Sequence, residues 1–314
     1  MDCQKRLISV ITPCYNSGAF VAKLLDSVLM QNYPSVEMIA VDDDSSDNTA
    51  QVIKSYISRF ESRGYTLRYI HQPHGGQSAA INRALKIITG EFLVWPDSDD
   101  FYSGPESLGK LAGALKDSPE DVALARCLPA YVDGQDRELS SGNGVPRYIN
   151  PNKQWLFRDA LWGQNGFWYL SGGYMVKMRC LDECIPGREI ACAVNAGQSW
   201  QLLLPLLHRY RCLTVKEKLI TVLVRKDSHS RNFFNTYKTV MQKHRDFEYV
   251  LLATLEKIQG IDDNAKEMLI EEIGHYYSRQ YALASLRFRF HIPLAICNKL
   301  MRLKDIYDSY RRKN

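Results

Sequence analysis

Glu91-Phe92-Leu93-Val94-Trp95-Pro96-Asp97-Ser98-Asp99-Asp100 (residues 91–100) joins an apolar run to three carboxylates within four positions. Residues 91–95 predict a strand, which delivers the acidic tetrad at its C-terminal end. The same alternation repeats upstream. Residues 7–12 are a short β-branched run closed by a turn over 13–18. Residues 19–31 then place Phe20, Val21, Leu24, Leu25, Val28 and Leu29 at helical spacing, and Pro34 ends that element. Residues 38–41 form a second strand running into Asp42-Asp43-Asp44, and Asp47 is the expected N-cap of a helix over 48–60. A third strand at 67–70, a tight His74-Gly75-Gly76 loop and a helix over 78–88 complete the series. Strands alternating with helices predict an α/β protein with a mostly parallel sheet flanked by helices. In such sheets ligands bind beyond the carboxyl ends of the strands, where the polar clusters after the first, second and fourth strands all fall.

Past residue 105 the pattern loosens. A helix over 105–117, a strand over 122–128, a Gly/Asp/Ser-rich loop over 133–144 and a strand over 170–177 are expected. A helix over 199–209 and a strand over 219–224 follow, and the chain is helical from about 233, with a break near 260–263. The 314 residues suffice for one large or two modest domains, and 45% hydrophobic with 24% charged residues excludes wholesale disorder. The formal charge of +5 is concentrated in the C-terminal stretch and points to an anionic partner. The eight cysteines show no C-x-x-C pair and no zinc spacing, so free thiols in a reducing compartment are expected. The first six residues lack the apolar core of a secretory signal, and no stretch approaches the roughly 18 apolar residues of a membrane span. These features predict a cytoplasmic protein, soluble or peripheral on the inner face of the cell membrane.

Three carboxylates at a strand end repel one another unless a cation compensates. Oxygen-only ligands suit a hard ion such as Mg²⁺ or Mn²⁺, which usually takes further oxygens from a substrate phosphate. A solvated Asp-rich turn before the next helix is the competing reading. Asp42-Asp43-Asp44 forms a second acidic strand end, and two in one sheet favour a nucleotide-plus-metal site.

Ile8-Ser9-Val10-Ile11-Thr12-Pro13-Cys14-Tyr15-Asn16, Val41-Asp42-Asp43-Asp44-Ser45-Ser46-Asp47-Asn48-Thr49, Gly75-Gly76-Gln77-Ser78-Ala79-Ala80-Ile81-Asn82-Arg83-Ala84 and the stretch 90–100, in this order and spacing, resemble glycosyltransferase family 2. The resemblance covers about the first 110 residues. It implies a GT-A (Rossmann-like) fold and an inverting transfer of sugar from a nucleotide-sugar, expected to be a UDP-sugar, to a hydroxyl of a glycan or lipid-linked acceptor. Carried over by position, it places Pro13 and Tyr15 at the nucleoside, Asp43 on the uracil ring, Asn82 and Arg83 on the nucleotide, Asp97 near the ribose or sugar, and Asp99 on the metal.

The family's second half carries an acidic pair that supplies the catalytic base. Here Gln198 and Ser199 stand at that place, and neither side chain holds a proton as a base at neutral pH. Asp182, Glu183 and Glu189 are the alternative bases. Otherwise the acceptor needs little deprotonation, or Gln198 positions it while leaving-group assistance carries the rate. After the 219–224 strand, Arg225 is the expected diphosphate contact and His229 a candidate metal ligand. The aromatic stretch from Trp155 through Trp162 to Trp168 and Tyr169 is either an acceptor surface or a minicore.

The basic, aromatic tail (276–314) fits an anionic membrane surface or an oligomer contact, including a homo-oligomer, and carries no nucleic-acid motif. The expected organisation is a GT-A domain over 1–230, with a donor half to about 110 and an acceptor half over 111–230, followed by a helical C-terminal region over 231–314. Two rival functions remain open: a catalytically silent nucleotide-sugar-binding or scaffold protein, and a nucleotidyltransferase.

Overall fold

The computed structural model describes residues 4–139, 150–167, 169–193, 197–225, 236–290, 292 and 296. The first half forms β1 (Gln4–Cys14), α1 (Val21–Leu29), β2 (Val36–Asp42), α2 (Thr49–Ser55), α3 (Ile57–Ser62), β3 (Thr66–His71), α4 (Gln77–Leu85) and β4 (Gly90–Val94). α1 forms because Val21, Leu24, Leu25 and Val28 recur at helical spacing and are all fully buried. The single helix expected over 48–60 is instead two helices that meet at Tyr56. The N-cap of the first is Asn48 and not Asp47 as expected, although Asp47, one residue earlier, accepts the Thr49 backbone N–H at 2.9 Å.

The second half adds β5 (Phe101–Tyr102), α5 (Ser107–Lys116), β6 (Val122–Val132), α6 (Phe157–Trp162), β7 (Tyr174–Lys177), α7 (Met178–Cys184), α8 (Gln198–Arg209) and β8 (Arg211–Leu223). The strands make one eight-stranded sheet in the order β3-β2-β1-β4-β7-β6-β8-β5. Pairings among β1, β2, β3 and β4 are parallel, and so is that of β6 with β8. β7 runs antiparallel to both of its neighbours, β4 and β6. That reversal decides where the polar residues meet. Because β7 runs backwards, its N-terminal end lies beside the C-terminal end of β4. Because β6 and β8 then run with β4, their C-terminal ends reach the same edge.

The strand expected over 170–177 begins only at Tyr174, since residues 171–172 form a turn. Gly172 there has φ +75°, and a Cβ on it would lie 2.8 Å from the Pro96 Cβ and 2.9 Å from the Ile220 Cδ1. Glycine is thus required for this turn to pack against the residue that precedes Asp97. At the opposite end of the strands, β2 buries Glu37. Glu37 accepts the Ser9 hydroxyl at 2.7 Å and the backbone N–H groups of Thr89 and Gly90, and Arg68 pairs with it at 2.9 Å. Such a carboxylate is tolerated because each lone pair finds a donor, and it ties β1, β2 and the entry to β4 together.

The chain divides into two compact units, Met1–Arg225 with Lys257–Gln259, and Lys226–Glu256 with Gly260–Asn314. Among the described residues the second unit is a helix pair, α9 (Tyr237–Lys257) and α10 (Asp263–Arg289), with Asp262 capping α10 through the Ala265 N–H. The break expected near 260–263 is present, with Gly260 at φ +82°. Leu251, Leu255, Leu269, Ile273 and Tyr277 are buried on these helices. No helix among the described residues is long and apolar enough to cross a membrane. Most of the tail expected to contact a membrane (276–314) lies outside the described residues, beyond 290. The six described cysteines are free thiols.

Gly172→Ala is expected to lower stability by about 2–4 kcal/mol, combining a left-handed backbone penalty with overpacking against Pro96. Urea unfolding of the two proteins checks this; equal midpoints would refute it.

Candidate active site

The first wall of the site is the end of β2. Cys14 accepts the Asp43 N–H at 2.9 Å, and Asp42 accepts the Ser45 N–H and the Tyr69 hydroxyl. Asp43 is buried and its carboxylate accepts three hydrogen bonds, from Gln72 Nε2 (2.7 Å) and Gly75 N (2.9 Å) on Oδ1 and from Gly76 N (2.8 Å) on Oδ2; His74 Nδ1 lies 3.0 Å from Oδ2 and 3.2 Å from the Asp43 carbonyl, with which it hydrogen-bonds. A carboxylate has about four acceptor positions, and three of this one's hold Gln72 and the Gly75-Gly76 amides in place. Above it, Tyr15 is 55% exposed, with its ring centroid 4.7 Å from that of His74. The pair forms an open aromatic platform.

The second wall is the acidic tetrad after β4. Gln77, at the start of α4, donates to Asp97 Oδ1 at 2.8 Å and so links the glycine loop to the tetrad. Ser171 and Gln198 also hydrogen-bond the Asp97 carboxylate. Burial and the neighbouring Asp99 charge nevertheless push its pKa up to about 7. Asp100 is buried, accepts the Leu223 N–H at 3.3 Å, and is raised well above the usual carboxylate range by burial and by Asp97 and Asp99. Asp99 pairs with Arg225 at 2.6 Å, and the Arg225 guanidinium lies 4.1 Å from the Phe20 ring centroid.

The third wall is the N-terminus of α8. Gln198 is buried, its side chain acts as a hydrogen-bonding group that lowers the Asp97 pKa, and among the described residues its Oε1 has no hydrogen-bond partner. Ser199 accepts from the Trp95 indole at 3.1 Å and lies 3.3 Å from the Ser171 hydroxyl.

The glycosyl transferase family 2 model matches residues 9–184, more than half of the chain. The chain belongs to glycosyl transferase family 2. It is 34% identical, over 45% of its length, to a poly(ribitol-phosphate) beta-glucosyltransferase of Bacillus spizizenii, and spans 20% of that protein. It is 35% identical, over 41% of its length, to the glycosyltransferase GlyG of Streptococcus pneumoniae, and spans 45% of that protein. The chain thus covers less than half the length of either relative. Among solved structures, TarS of Staphylococcus aureus in complex with UDP-GlcNAc is similar over 98% of this chain and 92% of that one, at a TM-score of 0.61 and 19% identity. A mannosyltransferase of Pyrobaculum calidifontis in complex with GDP-Man and Mn²⁺ is similar over 97% and 82%, at a TM-score of 0.56 and 19% identity. These likenesses establish the GT-A fold.

Against the family pattern, this chain distributes its expected site residues unevenly. Pro13 and Tyr15 lie at the end of β1, with Tyr15 in the platform. The Asp43 carboxylate, the expected ring contact, is already hydrogen-bonded by the amides of the Gly75-Gly76 loop. Asn82 is likewise engaged elsewhere: its carboxamide accepts from Ile190 N at 2.9 Å and donates to Ile190 O at 2.8 Å. Gln201, which sequence reasoning passed over, does the same to Ala191 at 2.6 and 2.8 Å. Together the two amides clamp the segment that leads toward α8. Their signal was invisible in the sequence because partner and clamp are far apart in the chain or separated by a loop. Arg83 is exposed.

The alternative bases are all paired. Asp182 binds Arg188 through both oxygens, Glu183 meets Tyr210 and Arg209, and Glu189 meets Lys86. Tyr169 and Trp200 both donate to the Ala160 carbonyl and pack edge to face, so in this part of the aromatic stretch the minicore is what forms. Trp155 is 55% exposed. His229 and Trp168 lie outside the described residues.

Among the described residues, no three Asp, Glu, His or Cys side chains converge closely enough to hold a metal by themselves. The donor set still fits a hard cation of the Mg²⁺ or Mn²⁺ type, which binds through one or two carboxylates and completes its shell with substrate phosphate. Asp99 is half-buried and is the tetrad carboxylate that already faces a cation, Arg225.

Asp43→Ala is expected to release the Gly75 and Gly76 amides, since bonds to a charged acceptor contribute about 1.5–3 kcal/mol each. Hydrogen exchange at these two amides should accelerate by at least about tenfold; unchanged protection would show that the loop holds itself.

Proposed function

We propose that the protein transfers a sugar, with inversion, from a UDP-sugar to a hydroxyl of a cell-surface glycan or polyol-phosphate polymer. The observation that carries this reading is the Gln77 contact with Asp97, which joins the aromatic platform and its loop to the acidic tetrad along one sheet edge. A nucleoside stacked on Tyr15 and His74 would direct its diphosphate toward Asp99 and Arg225. The printed activities of the Bacillus relative and the ligand of the Staphylococcus structure support the same donor and acceptor classes. In this reading residues to about 110 bind the donor and residues 111–230 receive the acceptor.

Asp99 is the residue that would hold a divalent ion. Mn²⁺ or Mg²⁺, when bound, neutralises charge on the diphosphate leaving group. Arg225 adds a second positive group for the same oxygens, a role that tolerates loose geometry. In the transfer, the bond from the anomeric carbon to the diphosphate oxygen breaks as the acceptor oxygen attaches. The diphosphate leaves with the electron pair, and the hydroxyl proton goes to water. Gln198 orients the acceptor hydroxyl through its unpartnered Oε1, while its amide stays on Asp97. It does not take the proton.

The second reading, a silent nucleotide-sugar binder, is favoured by the same Gln198-Ser199 pair. UDP release from UDP-sugars in the presence of Mn²⁺ separates the two. The enzyme reading expects release that Asp99→Ala abolishes; tight UDP binding with no release from any donor would leave the binder.

Gln198→Glu tests the positioning role. A second carboxylate against Asp97 would have to share its proton, so kcat is expected to fall at least about tenfold while UDP affinity holds. A rise in kcat, with a new basic limb in the pH profile, would instead mean that position 198 is a base site in which the base has been lost.

A further inference from the structure

Arg225 follows β8 directly, and the two residues before it are tied down. The Leu223 N–H reaches Asp100 at 3.3 Å, and the Val224 N–H reaches the Val132 carbonyl at 2.8 Å. From this fixed backbone the side chain extends to Asp99, where Nη2 donates to Oδ2 at 2.6 Å, and its guanidinium carbon lies 4.1 Å from the Phe20 ring centroid. Phe20 is held in turn: its N–H donates to the Ser17 carbonyl at 2.9 Å, and the Ser17 N–H donates to the Thr49 hydroxyl at 2.8 Å. Arg225 Nε is buried, and among the described residues it has no hydrogen-bond partner.

Arg188 shows how a structural arginine pairs in this chain. It binds both oxygens of Asp182 through Nε and Nη2, and it adds the carbonyls of Leu85 and Ile88. Arg225 instead gives Asp99 one N–H and rests on an aromatic face. A ring face attracts a cation without fixing hydrogen-bond directions, so the guanidinium can shift across it. Nε and Nη2 together form the edge of the planar fork that takes two phosphate oxygens at once. With only Nη2 engaged, that edge is half used, and a buried donor without a partner costs stability that a phosphate ligand would restore. Asp99 is also the carboxylate on which a divalent ion would depend. Two cations on one carboxyl group repel, so arginine and ion compete for it.

We propose that Arg225 makes cation binding at Asp99 conditional on the nucleotide. Without a diphosphate the guanidinium holds Asp99; a diphosphate draws it onto its own oxygens and frees the carboxylate for the ion. Phe20 is the positioning residue that keeps the guanidinium within reach of both. The inference rests on the reading of Asp99 as the metal carboxylate of a nucleotide-sugar site and deepens it, by giving that site an order of assembly. By linkage, the factor that the diphosphate adds to cation affinity is also the factor that the cation adds to diphosphate affinity.

The test titrates Mn²⁺ into the full chain, follows the free ion by electron paramagnetic resonance, and requires no sugar transfer. Arg225→Gln is expected to bind Mn²⁺ alone at least about tenfold more tightly than the unaltered protein, and Arg225→Gln/Asp99→Ala to lose that gain. UDP is expected to tighten Mn²⁺ binding by the unaltered protein at least about tenfold more than it does for Arg225→Gln. Phe20→Leu keeps an apolar side chain without the ring, and is expected to tighten binding of Mn²⁺ alone by about threefold. Because it reads the same contact from the other side, an Arg225 variant that fails to fold leaves the test intact: unchanged Mn²⁺ affinity in Phe20→Leu then overturns the proposal. So does equal affinity of the unaltered protein and Arg225→Gln for Mn²⁺ alone, a UDP effect of the same size in both, or tight Mn²⁺ binding that survives Asp99→Ala. Mn²⁺ that binds the unaltered protein with UDP while Arg225→Gln changes nothing removes this proposal and leaves the metal reading standing. No Mn²⁺ binding by any of the proteins, with or without UDP, removes both.

Discussion

Crowding of like charge at the end of β4 is the constraint around which the site is built. Two unit charges about 4 Å apart interact by about 4 kcal/mol at the effective dielectric of a protein surface. Asp97, Asp99 and Asp100 each meet that repulsion with a different partner. Asp99 has a full countercharge in Arg225. Asp97 has neutral donors, Gln77, Ser171 and Gln198, and its pKa rises to about 7 because neutral donors only partly offset burial and the Asp99 charge. Asp100 has a single long backbone N–H and is raised further. The tetrad therefore meets its crowding partly by holding protons, and a bound cation would favour their release.

That arrangement depends on the one reversed strand. With β7 parallel to β4, Ser171 and Gly172 would lie at the far edge of the sheet, and neither β6 nor β8 would end near the acids. The antiparallel β7 brings Ser171 onto Asp97, and β8 ends where the Leu223 N–H reaches Asp100 and Arg225 reaches Asp99. Gly172 is the local condition for this, since only a residue without Cβ fits the gap beside Pro96.

The donor half was legible because its signals are local. Strand, acidic turn and helix follow one another within about thirty residues, and each glycine or cap acts on its immediate neighbours. Side-chain roles were less legible than positions. Asp43 and Asn82 were placed at the nucleotide by motif, yet both are committed to backbone amides that no pattern reveals: Asp43 to Gly75 and Gly76, Asn82 to Ile190. In the second half the helices over 107–116 and 198–209 stand where expected, but strand bounds shifted. The strand expected from 170 starts four residues later because a left-handed glycine turn precedes it, and the antiparallel pairing of β7 has no signature in its own four residues.

Position 198 follows from the same electrostatics. Gln198 lies against Asp97, a carboxylate whose pKa is already pushed to about 7 by burial and one neighbour. An acid at 198 would add a second neighbour and drive one of the two to hold a proton, which removes the very basicity the family pattern expects of that position. The amide keeps the shape and the hydrogen bond without the charge, and it leaves Oε1 as an acceptor with no partner among the described residues. Ser199 continues the substitution in a smaller form, tying Trp95 to Ser171. In the proposed reading, Gln198 and Ser199 both carry hydrogen-bonding groups where the family pattern carries acids.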